Sequence, residues 1–70
     1  MYFDVCKLRA ELALIGLKEY QFAKEIGLHR VTLSKRMHGI SEWQLNEVYK
    51  CFKIFGEEKT IGIFFARKVS

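Results

Sequence analysis

Arg30, Lys35 and Arg36 fall within one short stretch, with Thr32 and Ser34 between them and His29 and His38 on either side. From Ile26 to Ser41 there is no acid to neutralise these groups. A local set of guanidinium, ammonium, hydroxyl and imidazole groups attracts phosphate and gives salt-dependent affinity. Wound into a helix, Val31, Ser34 and Lys35 share one side at i, i+3, i+4, and Thr32 and Arg36 form a flank at i, i+4. Leu33 and Met37 take the opposite side, also at i, i+4. A helix with an apolar inner side and a basic, hydroxyl-rich outer face is what the major groove of DNA admits. The bland alternative is a solvated basic surface with no partner: Arg30 and Lys35 as ordinary surface cations, Val31 packed on a neighbouring helix, Thr32 supporting the turn.

Other chemistries find less support. Cys6, His29, His38 and Cys51 lack any recognised zinc-ligand spacing, so no metal is expected. Asp4 is the only aspartate, and no paired carboxylates, nucleophile–base set or phosphate-cradling glycine loop stands out. The chain reads as a non-enzyme without a cofactor or small-molecule substrate. Cys6 and Cys51 each sit beside apolar neighbours in a helical pattern and read as two buried thiols in a reducing compartment. A disulfide between them is the alternative.

The elements that must carry the basic face are legible from spacing and caps. A first helix is expected from Val5 to Ile15, with Val5, Leu8, Leu12 and Ile15 recurring, Asp4 as N-cap and Gly16 as terminator. A second runs from Glu19 to Ile26 and buries Phe22, Ala23 and Ile26. Gly27 supplies the positive φ of the corner and Leu28 plugs it. The basic helix follows His29, reaches Met37 and closes at Gly39. A fourth is expected to start in Ser41-Glu42-Trp43-Gln44, read as a capping box, and to bury Leu45, Val48, Tyr49 and Phe52, with Trp43 beside them. The last segment reads two ways. One is a helix from Glu57 to Phe64 with Ile61, Phe64 and Phe65 inward. The other is a terminal strand through Ala66 that pairs with a second subunit, because the run is rich in β-formers and Gly62 weakens a helix. The helix is the favoured reading.

Seventy residues, half of them hydrophobic, bound the chain to one small globular domain, residues 1–70. The net charge is +4. There is no proline, no linker, no internal repeat, no apolar run near a membrane span and no secretory pattern at the start, so a cytoplasmic location is expected.

Ala23, Gly27, Thr32-Leu33-Ser34 and Gly39, in this four-helix order, resemble the helix-turn-helix of Cro- and repressor-type regulators, the XRE class. The likeness extends from Leu8 to Phe65, with the helix-turn-helix at about 18–37, and is nearest to the short Cro-like proteins of phages and prophages of Gram-positive bacteria. It implies a compact all-α, lambda-repressor-like bundle of four to five helices that binds double-stranded operator DNA as a transcriptional regulator. In that frame Arg30 opens the recognition helix, where an arginine can bond guanine O6 and N7. Val31, Ser34 and Lys35 face the bases, Val31 suiting a thymine methyl. Lys18, His29, Thr32, Arg36 and His38 meet phosphates. Useful selectivity favours a homodimer on a two-fold site, with Phe52, Phe64 and Phe65 as the dimer contact. The same fold also serves as a protein-binding antirepressor or an antitoxin-type module, which is the alternative function.

Overall fold

A computed structural model describes residues 3–65, and these fold into five helices with no strand among them. They are α1 (Val5–Leu14), α2 (Glu19–Glu25), α3 (Arg30–Met37), α4 (Leu45–Phe55) and α5 (Glu57–Phe64). The favoured helix over Glu57 to Phe64 is present as α5, and the alternative strand is not formed among the described residues. Ala66, the end of that β-rich run, lies outside the described residues.

Local chemistry sets the boundaries. The Asp4 side chain accepts from the Lys7 amide at 3.0 Å and starts α1. Gly27 and Gly39 both take φ +74°, which lets the chain leave α2 and α3 sharply. The Leu28 amide donates to the Ala23 carbonyl at 2.8 Å and closes the corner between α2 and α3. Lys50, from α4, donates to the Ile26 carbonyl at 3.4 Å and so helps cap α2.

The core joins all five helices: Leu8 and Leu12, Phe22, Ala23 and Ile26, Leu33 and Met37, Val48 and Cys51, Ile63 and Phe64 are buried together. α2 packs on α3, and α4 and α1 both pack on α5. The Asp4 amide donates to the Ile63 carbonyl at 2.8 Å, tying the entry of α1 to the end of α5. Thr60, wholly buried, places its hydroxyl 2.7 Å from the Gly56 carbonyl and 3.1 Å from that of Cys51, so its one polar group is satisfied inside the core.

Four expectations are corrected here. α4 begins at Leu45, not after Ser41: the Ser41 hydroxyl is engaged by Arg36, and the Glu47 carboxylate instead accepts from the Gln44 amide at 2.9 Å. The later start goes with a different buried side. Glu47, Val48 and Cys51 face in, while Leu45 is 64% and Tyr49 59% exposed. Along α5, Thr60, Ile63 and Phe64 turn inward and Ile61 and Phe65 outward. The thiols also differ: Cys51 is buried, Cys6 is exposed, and both are free.

Candidate nucleic-acid interface

α3 is anchored by Leu33 and Met37, both buried, and this anchorage decides what the other side shows. Arg30, Ser34 and Lys35 are exposed, and Val31 is 54% exposed among them. Thr32 is half-buried on the flank. Among the described residues no ion pair or hydrogen bond occupies the head groups of Arg30 or Lys35. The four expected base-reading residues therefore stand together as one solvent-facing ridge.

Both histidines work at the ends of that helix. His29 is the N-cap: its Nδ1 accepts from the Val31 amide at 3.2 Å. This role requires the other nitrogen, Nε2, to carry the proton in the neutral ring, which leaves an N–H donor directed away from the cap. His38 follows the last turn, and its Nδ1 lies 2.8 Å from the Ser34 carbonyl, to which it donates in the Nδ1–H tautomer. Lys18 is the N-cap residue of α2, with its side chain exposed and its amide donating to Gln21 Oε1 at 3.0 Å. Glu19, beside it, is 3.8 Å from Arg9, a loose surface pair.

Arg36 is a correction to the phosphate set. Its Nε and Nη2 donate to the two carboxylate oxygens of Glu47 at 2.9 and 3.1 Å, and its Nη1 donates to Ser41 Oγ at 2.7 Å. The two side chains are 13% and 5% exposed. A guanidinium spent on a two-toothed carboxylate contact has no fork left for DNA, and its charge is cancelled where it sits. Burial pushes the Glu47 carboxyl up, but the Arg36 bonds, the Gln44 amide and the nearby Arg36 and Lys50 charges outweigh it and hold it below its ordinary value. The bond to Glu47 in turn raises Arg36, against the opposing effect of burial. The signal that could have found this pair is the isolated Glu47 on a helix face that is otherwise apolar.

Phe64 is likewise removed from the dimer-contact set. It is 7% exposed, with its ring 5.3 Å from Phe3 and 4.9 Å from Trp43. Phe52 is half-buried, and Phe65 remains exposed. An open groove of about 570 Å³ lies beside these rings, and Trp43, Leu45, Val48 and Phe65 line it.

Comparison with protein-family models, with curated proteins and with solved structures finds no match. What the surface can do follows from its own side chains. Two free cations, a hydroxyl and one small apolar group on a single helix suit an anionic, grooved partner with hydrogen-bonding edges. Among the described residues no set of three or more metal-ligating side chains is brought together. No described helix is long and apolar enough to cross a membrane.

Proposed function

We propose that the chain binds double-stranded DNA in a sequence-specific way and regulates transcription, with α3 entering the major groove. The observation that carries this reading is the composition of the α3 ridge: Arg30, Val31, Ser34 and Lys35 are all exposed on a helix whose opposite side is locked in the core. Arg30 at the first turn reads a guanine edge, Val31 touches a thymine methyl, and Ser34 and Lys35 reach bases further along. Lys18, His29 and Thr32 are the remaining phosphate contacts, with α2 crossing the backbone; His38 leaves the set because its one ring N–H is spent on the Ser34 carbonyl. The resemblance of Ala23, Gly27, Thr32-Leu33-Ser34 and Gly39 to XRE-class regulators supports the same reading, and we extend the proposal to a cytoplasmic bacterial protein encoded by a phage or prophage. A protein-binding antirepressor needs apolar bulk on this face, and the ridge carries a single valine.

Selection of bound fragments from random duplex DNA at fixed ionic strength tests the reading. An enriched motif is expected, and a pool that stays random after repeated rounds overturns it. On the selected duplex, Arg30→Ala is expected to cost about 1–3 kcal/mol and to relax preference at one position. Lys18→Ala is expected to weaken all duplexes alike and to reduce the salt slope by about one. Fluorescence anisotropy across a salt series separates the two behaviours.

A further inference from the structure

The Arg36–Glu47 pair joins three pieces of chain at one point. Arg36 belongs to the last turn of α3, Ser41 to the connection after it, and Glu47 to the first turn of α4. Glu47 holds the Arg36 fork with both oxygens and also takes the Gln44 amide that opens α4. Leu33 and Met37 fix how deeply α3 sits, but apolar contacts are non-directional and leave its rotation and tilt loosely set. A fork-to-carboxylate contact is directional, because two parallel bonds fix the plane of one group against the other. Arg36 is one residue from Lys35 and two from Ser34, so a rotation of the last turn moves both outward side chains.

We propose that Glu47, acting through Arg36, is a positioning residue for base reading by α3: it touches no DNA, and it sets the angle at which Ser34 and Lys35 meet the base edges. The inference rests on the DNA-binding reading above. Side chains that read bases tolerate only small displacement, roughly 0.5 Å or 10–20°. Loss of the fork therefore appears as loss of discrimination while the non-specific, phosphate-driven affinity persists.

The test separates positioning from mere support of the fold. In Arg36→Met/Glu47→Leu both charges are replaced by apolar groups, an exchange that buried pairs often tolerate without loss of stability. Glu47→Gln keeps the shape and one acceptor and serves as the second variant. Each is compared with the unmodified chain for helicity, for melting temperature, and for affinity toward the selected duplex and a scrambled one at the same salt. The expected result is a folded protein whose preference for the selected duplex falls about tenfold or more, the discrimination that one well-placed base contact supplies. Binding to the scrambled duplex should stay within about twofold in the charge-neutral double variant and should hold or rise in Glu47→Gln, which adds one net positive charge. Full preference in either folded variant overturns the proposal, as does an equal fall on both duplexes. Failure of the unmodified chain to prefer any duplex overturns the DNA-binding reading itself and is distinguished by the selection experiment alone.

Discussion

Three donors converge on the Glu47 carboxylate, and they explain how an acid stays ionised in so small a core. Burial works against the charge, and the Arg36 bonds, the Gln44 amide and the Arg36 and Lys50 charges overcome it. Because the folded carboxyl is held below its unfolded value, the stabilisation is complete above the ordinary carboxylate range. It fades as pH falls through the folded value. Thermal melts from neutral pH toward pH 3 are expected to show falling stability, with a shallower fall in Glu47→Gln, and parallel curves would remove Glu47 from the account. Arg36→Ala at neutral pH strands the carboxylate and is expected to cost about 2–3 kcal/mol, less than the ~3–5 of a deeply buried pair because water is near. The two thiols offer a second check at this scale. Burial, with the Glu47 charge adding to it, pushes the Cys51 thiol up to about 12, whereas Cys6 is exposed. One equivalent of thiol is expected to react with a disulfide reagent in the native protein and the second only on denaturation, because the thiolate is the attacking species.

The glycines divide into two kinds at the scale of the element. Gly27 sits at φ +74°, and a Cβ there would lie 3.2 Å from Lys50 Nζ, the group that caps α2. Gly62 lies inside α5, where a Cβ would meet only the flexible end of Lys7 at 3.3 Å. Gly27→Ala is expected to destabilise by about 1–2 kcal/mol through left-handed strain, and Gly62→Ala to stabilise by up to about 1 kcal/mol through helix propensity. Urea unfolding reads both, and equal signs would refute the distinction. The same glycines mark what was legible in the chain. Asp4, Gly16, Gly27 and Gly39 punctuate α1, α2 and α3 almost to the residue, because caps and left-handed turns are local chemistry. The start of α4 was not legible, because Ser41-to-Gln44 and Gln44-to-Glu47 offer the same short-range spacing. Arg36, arriving from α3, occupies Ser41 and Glu47 together, and a local reading cannot see it. One missed partner displaced the α4 stripe and left Arg36 looking free. The ridge at Arg30, Val31, Ser34 and Lys35 was legible because its inner side, Leu33 and Met37, followed simple helical spacing.

The described residues measure 33 × 25 × 20 Å, and α3 is 8 residues long. Such a helix spans about 12 Å and, on the proposed DNA-binding reading, addresses only a few base pairs. One copy cannot present α3 to two major-groove faces about 34 Å apart, so an operator with two half-sites requires two copies. Apolar surface suited to joining them remains on α4, where Leu45 and Tyr49 are exposed one turn apart, and beyond α5 at Phe65. Leu45 and Phe65 line the same groove, so a second copy seated there would cover apolar groups of α4 and of the residue that follows α5 at once. We therefore expect Leu45→Ser/Tyr49→Ser to leave the melting temperature nearly unchanged, since exposed substitutions fall within about 0.5 kcal/mol, while abolishing dimers in sedimentation experiments. Joining two modules raises affinity by about 10²–10⁴ without new contacts to DNA, provided the spacing allows both to engage. The double variant should accordingly bind a two-half-site duplex no more tightly than a single half-site. The unmodified chain should show the gain only when the half-sites are separated by about one turn, because the rigid pairing of two copies dictates which grooves they reach together. A monomeric chain that binds both duplexes equally would rule out this pairing and leave the groove to another occupant.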